Sequence, residues 1–166
     1  INDEILRPYF ELEKVKSGVF GLANKLYGIR FEKCDKIQVW NDEVDAYEVF
    51  DENGEFIAVV YTDFFPRDSK RAGAWMNDIK PQSNINGKRE YPFITLTMNF
   101  SPATADKPAL LTFDEVTTFL HEFGHGLHGL LSDVTYPSLA GTSVARDFVE
   151  LPSQIMENWA FEKEFL

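Results

Sequence analysis

Early in the chain, apolar residues recur every three or four positions. Leu12, Val15, Val19, Leu22 and Leu26 keep that spacing. An amphipathic helix is therefore predicted from residue 8 to about residue 27, with Gly28 as its stop. Gly18 and Gly21 weaken this helix or mark a close neighbour. The period then shortens to two. Residues 37–40, 47–50 and 56–61 read as strands, and Asn53-Gly54 between the last two is a hairpin-turn signal. From residue 66 to 92 turn residues interrupt every pattern, and an irregular stretch is expected. Residues 94–100 alternate as a half-buried strand does. Beyond them, helical spacing returns in two long pieces around a loop at 136–142. The pattern predicts an α+β chain, mainly helical with a small antiparallel sheet. No repeat, low-complexity tract or Gly/Ser linker divides residues 1–166, so they read as a single region.

The start of the later helix is sharply marked. Thr112-Phe113-Asp114-Glu115 is a capping box, in which Thr112 accepts from an early amide and Glu115 reaches back. Val116, Phe119, Leu120, Phe123, Leu127, Leu130 and Leu131 then form one apolar stripe. Gly124, Gly126 and Gly129 interrupt it. Each lowers helix stability by roughly 1 kcal/mol relative to Ala, so a close neighbour is expected there.

Composition narrows the function classes. Of 166 residues, 27 are Asp or Glu and 16 are Lys or Arg, a formal net charge of -11. This acidity argues against a duplex nucleic-acid binder and against docking on anionic membranes. Hydrophobic residues make up 44%, too many for a disordered chain. No apolar run reaches the roughly 18 residues of a membrane span. The single cysteine, Cys34, excludes an internal disulfide and reads as a buried bystander. The first residues, Ile1-Asn2-Asp3-Glu4, carry neither Met nor a leader pattern, as expected of a processed chain or a piece of a longer one.

All three histidines fall on the apolar-striped helix, at His121, His125 and His128. His121-Glu122-Phe123-Gly124-His125 is an HExxH pattern. Imidazoles four residues apart lie one turn apart, and both can reach a metal at about 2.0–2.1 Å. The carboxylate of Glu122 can hold the water that such a metal activates, and take its proton. His128 lies about 10 Å along the axis from His121. It is read as a packing or supporting residue.

A catalytic zinc usually keeps three protein ligands and one open position. With no further histidine, the third must be acidic. Asp147, Glu150, Glu157, Glu162 and Glu164 surround the last helical segment. Asp147, Glu150, Gln154 and Glu157 form a polar stripe, opposite Phe148, Leu151, Ile155 and Trp159. On spacing alone Asp147 and Glu150 are equally good ligands, and a solvated acidic face would carry the same stripe.

Residues 119–128, Phe-Leu-His-Glu-Phe-Gly-His-Gly-Leu-His, and 141–159, which contain Arg146-Asp147-Phe148-Val149-Glu150, resemble the thimet oligopeptidase family of zinc metallopeptidases. Residues 71–76 and 97–100 resemble it as well. In detail the chain is most similar to the bacterial peptidyl-dipeptidase (dipeptidyl carboxypeptidase) members. The resemblance implies one zinc ion held by His121, His125 and Glu150, with Glu122 as catalytic base and later proton donor. It implies an HExxH helix packed beside a second helix that carries the third ligand. It implies short peptide substrates, with release of C-terminal dipeptides. Endo-oligopeptidase activity, or a zinc-binding fragment inactive in isolation, is the alternative. Family members are several times longer, two-lobed and mostly helical, so this chain is expected to be a fragment around the zinc site. Their Tyr- and His-containing segment beyond the third ligand is not in this sequence, so the oxyanion partner has no candidate here.

Further roles follow as expectations. The edge of strand 94–100 could pair with an extended peptide. Arg71, Arg89 and Arg146 are candidates for a substrate carboxylate. Tyr136 and the Gly141-Thr142 loop are candidates for the channel wall, and Asp147 and Glu157 for acceptors orienting the imidazoles. Low cysteine use fits a bacterial cytoplasm.

Overall fold

The computed structural model describes residues 3–166. A short helix α1 (Asp3–Leu6) and a 3-10 turn (Arg7–Tyr9) precede α2 (Leu12–Tyr27). The helix expected from residue 8 thus begins four residues later. Around Phe10 and Glu11 the backbone pairs with residues 109–111 instead. Leu12 N donates to Ala109 O at 2.9 Å, and Leu111 N donates to Phe10 O at 2.8 Å. Gly28 does close α2, in the left-handed conformation, with its N–H on Asn24 O.

Seven strands follow: β1 (Arg30–Lys33), β2 (Asp45–Phe50), β3 (Phe56–Asp63), β4 (Trp75–Lys80), β5 (Ser83–Ile85), β6 (Lys88–Glu90) and β7 (Phe93–Thr97). Five of them form one sheet in the order β1-β2-β3-β7-β4. The β3–β7 pair is parallel and the other three pairs are antiparallel. β5 and β6 form a separate hairpin. The architecture is α+β, as expected. The expectation of a mainly helical chain with a small antiparallel sheet is corrected to a five-stranded mixed sheet with helices against it.

Physical reasons lie behind each strand that the pattern conceals. β1 has three charged residues out of four and sits at a sheet edge, where only Phe31 packs inward, stacked on Phe20. β4 occupies the opposite edge. Its sequence, Trp-Met-Asn-Asp-Ile-Lys, mixes polar and apolar residues on both faces, so alternation is lost in the stretch expected to be irregular. The hairpin β2–β3 is as predicted around Gly54, whose φ is 80°. Residues 37–40 form no strand. Ile37 and Val39 instead lie over the outer face of the sheet, against Val44, Ala46, Val59 and Tyr61.

The main core fills the other face. Val15, Val19 and Leu22 of α2 meet Val60, Ile94 and Leu96 of the sheet. They also meet Phe119, Leu120 and Phe123 of α3 (Phe113–Leu130), whose capping box forms as predicted. Among the described residues, no helix is long and apolar enough to cross a membrane.

The last helix, α4 (Leu151–Glu157), has only seven residues and passes into a 3-10 turn. Three of the four residues of its expected apolar side are exposed: Phe148, Leu151 and Ile155 are each about half accessible, at 47%, 47% and 50%, while Trp159 packs, partly buried, on the core. Ser153, Met156 and Ala160 are buried in their place. The inward face is chosen by the neighbouring helix. A Cβ on Gly124 of α3 would stand 2.6 Å from both Pro152 O and Ser153 Cα. The short side chain of Ser153 and the missing one of Gly124 let the two backbones touch.

At the end of β3, Asp63 anchors the loop that leads to β4. Arg67 Nη1 and Nη2 donate to its two oxygens at 2.8 and 2.7 Å, Lys70 Nζ donates at 3.0 Å and Trp40 Nε1 at 3.1 Å. Burial alone would raise the Asp63 carboxyl, but these donors outweigh it and hold the pKa below its usual value. Lys70 Nζ also binds Asp63 O and Phe65 O, so the loop start is pinned to the strand.

The contact at Gly124 yields a prediction. Gly124→Ala should force α4 away from α3 and lower stability by about 1–3 kcal/mol. Denaturant unfolding checks it, and an unchanged midpoint would refute it.

Candidate metal centre

α3 presents His121 and His125 one turn apart, with ring centroids 4.9 Å apart and planes at 85°. Glu150 lies outside the helices, as the residue immediately before α4, with φ -84° and ψ -8°. The resemblance implies a third ligand carried on a second helix; here it is carried at that helix's N-terminal edge. Glu150 Oε2 stands 3.2 Å from His121 Nε2 and 3.2 Å from His125 Nε2. The three ligand atoms all lie within 4.8 Å of one another.

This spacing fits a metal. Ligand atoms at about 2.0–2.1 Å from a tetrahedral centre stand about 3.3–3.4 Å apart. A hydrogen-bonded His–carboxylate pair accounts for one such distance, but one carboxylate oxygen facing two imidazole nitrogens is better satisfied by a cation between them. Among the described residues, this is the one group of His, Cys, Asp and Glu with such convergence.

Two of the three donors are held from behind. His121 Nδ1 donates to Glu157 Oε1, which places the proton on Nδ1 and the lone pair on Nε2, facing Glu150. Ser153 Oγ lies 2.8 Å from both Glu150 O and Glu150 Oε2. That hydroxyl, first among the causes, holds the Glu150 carboxyl below its usual pKa. Burial pushes the His125 imidazole down, keeping it neutral and able to ligate. His125 Nδ1 is buried with no protein partner among the described residues.

Glu122 points into the same cavity, about 510 Å³ in volume, lined also by Ala74, Trp75, Met76, Thr142 and Val149. It is 7% exposed, and burial raises its pKa; His121 opposes that rise and the Glu150 charge adds to it, leaving the carboxyl above its usual value. A carboxylate made more basic in this way is better suited to accept a proton.

Other expected residues separate on geometry. Glu157 does orient an imidazole, whereas Asp147 makes no recorded contact with one. His128 packs edge-on against Phe148, with ring centroids 6.1 Å apart, and stays out of the triad. Tyr136 is 59% exposed and does not line the cavity, while Thr142 does. None of Arg71, Arg89 and Arg146 lines the cavity; Arg89 is paired with Asp133 at 2.8 Å. Cys34 is partly exposed rather than buried. Ser153 was not legible as a site residue, although a hydroxyl three positions after an acidic residue is a recognisable local signal.

Two imidazoles, a convergent carboxylate and a second carboxylate beside them are the groups that metallohydrolase centres use. The chain belongs to peptidase family M3, whose family model matches residues 1–166. It is 47% identical over 161 residues to a dipeptidyl carboxypeptidase of Escherichia coli, covering 96% of this chain and 23% of that protein. It is 45% identical over 168 residues to an oligopeptidase A of Salmonella typhimurium, covering 100% and 25%. An organellar oligopeptidase A of Arabidopsis thaliana is 43% identical over 173 residues, covering 100% and 22%. The chain thus spans about a quarter of the length of these relatives.

The support for His121 is testable. Glu157→Gln should weaken zinc binding about 10–100-fold, because an amide no longer sets the imidazole tautomer as a carboxylate does. Competition with a chromogenic chelator measures this, and unchanged affinity would remove Glu157 from the centre.

Proposed function

We propose that the chain forms the catalytic centre of a zinc-dependent peptidase acting on short peptides, with His121, His125 and Glu150 as ligands and Glu122 as base. The observation that carries the reading is the convergence of Glu150 Oε2 on both Nε2 atoms at 3.2 Å, with the buried Glu122 beside them. Zinc bound there would supply Lewis acidity, polarising the scissile carbonyl and making a water more acidic.

The protein's own groups carry the remaining steps. Glu122 accepts the water proton as the oxygen attacks, and returns it to the leaving nitrogen, so the carboxylate is regenerated. Its burial makes it a stronger base than an exposed glutamate. Glu157 keeps His121 in one tautomer, and Ser153 keeps Glu150 from swinging towards solvent.

The place of the peptide is corrected from that expected. β7 lies between β3 and β4, so both of its edges are paired. β4 is the edge strand, and Ala74, Trp75 and Met76 at its start line the cavity. An extended peptide laid beside this edge gains backbone hydrogen bonds and brings a carbonyl to the centre.

Release of C-terminal dipeptides is the finer reading, supported by the resemblance of residues 146–150 and by similarity to dipeptidyl carboxypeptidase. Cleavage within the peptide is the second reading. The oligopeptidase A relatives, which are nearly as similar, support it.

Glu122→Gln should retain zinc while lowering peptide hydrolysis by about 10²–10⁴-fold. Wild-type turnover in the zinc-loaded variant would sink the mechanism. Amidating the C-terminus of a peptide substrate should abolish its cleavage if dipeptides are released, and leave it intact if cleavage is internal; product masses decide.

A further inference from the structure

Residues 71–74 bring the chain from the Asp63-anchored loop to the cavity, yet they belong to no strand. Gly73 has φ 99°, a conformation open to glycine, and residues 71–73 are exposed. The β4–β7 ladder begins only at Trp75, paired with Thr97. Continuing that antiparallel register by two residues would set Gly73 opposite Asn99.

Beyond Thr97 the amides on one side of the chain stay with the other neighbour: Met98 N donates to Asp63 O at 2.8 Å and Phe100 N donates to Phe64 O at 2.7 Å. On the β4 side, among the described residues, no backbone pair with residues 71–73 forms. The side chain of Asn99 bridges the gap that this leaves. Its Nδ2 donates to Arg71 O at 2.9 Å and to Gly73 O at 2.7 Å. One amide group thereby holds two carbonyls of a segment 26 to 28 residues away. The next residues, Ala74, Trp75 and Met76, are cavity wall.

We propose that Asn99 is a positioning residue for substrate: its amide clamps residues 71–73 so that the free edge at Ala74–Trp75 is held in register with the metal centre. Asn99 itself lines no part of the cavity and touches none of its ligands. Resting on the peptidase reading above, the inference names how that site keeps its peptide-binding edge in place. Among the described residues, the Asn99 amide makes the hydrogen bonds that tie residues 71–73 to the end of β7, so without it the first pair of the ladder frays. A peptide pairing with that edge must then order it on binding, which weakens binding rather than chemistry.

The test uses the zinc-loaded protein with Asn99→Ala, and Asn99→Gln as the variant that restores an amide donor. Amide hydrogen exchange at residues 74–76 should accelerate in Asn99→Ala by about tenfold, the scale of one or two net hydrogen bonds. Binding of hexa-alanine, measured by calorimetry in a Glu122→Gln background, should weaken by a similar factor. KM should rise with kcat little changed, zinc content should stay constant, and Asn99→Gln should recover part of each effect. If Asn99→Ala does not fold, Asn99→Asp, of the same shape but without the donors, carries the same measurements. Wild-type exchange at 74–76, or wild-type hexa-alanine affinity despite faster exchange, overturns the proposal. Failure of the peptidase reading looks different: the parent protein then neither cleaves peptides nor binds hexa-alanine.

Discussion

The contact between two backbones at Gly124 governs the metal centre. A Cβ there would meet Pro152 O and Ser153 Cα at 2.6 Å, so no other residue allows α4 to approach so closely. Glu150 is carried by the residues that make this approach. Its oxygen reaches both imidazoles because the start of α4 rests on α3 within the same turn that bears them. The other two glycines of α3 answer to other neighbours. Gly126 faces Ile94 and Leu96 of β7, and Gly129 faces Met76 of β4 and the loop at Gly141. The helix therefore gives up propensity at three positions and is stabilised by burial of Phe119, Leu120 and Phe123, all fully inaccessible.

The charges follow from this placement. Glu122, Glu150 and Glu157 crowd two imidazoles, an arrangement that suits a divalent cation. Their environments differ. Glu150 is half exposed and oriented by a hydroxyl; Glu157 accepts from an imidazole; Glu122 is buried and more basic than usual. Three residues of one chemical type thus acquire three different surroundings according to what packs around each.

The sheet makes a second contribution. Its mixed topology puts β4 at an edge beside the centre, and the segment before β4 is fastened at both ends. The Asp63 cluster of Arg67, Lys70 and Trp40 holds the start of the loop, and Asn99 holds its end. Side-chain donors thus hold the segment before β4 where its ladder with β7 has not yet begun.

Local signals were read correctly wherever the physics is local. The capping box at Thr112 and Glu115, the apolar stripe of α3, the stop at Gly28 and the turn at Gly54 each depend on residues a few positions apart. The HExxH pair is of this kind, since helix geometry alone places His121 beside His125. Residues whose environment comes from distant chain were not legible. β1 and β4 are sheet edges, with too few buried side chains to leave a period of two. The inward face of α4 was misread because Gly124, 29 residues before Ser153, selects it in place of the more apolar Phe148, Leu151 and Ile155. Spacing left Asp147 and Glu150 equal as third ligands, and a resemblance was needed to choose between them. By itself the sequence determined the HExxH helix and the two imidazoles it sets side by side. The tertiary structure decided which carboxylate meets those imidazoles and which strand edge of the sheet stays unpaired, because both depend on how separate elements pack.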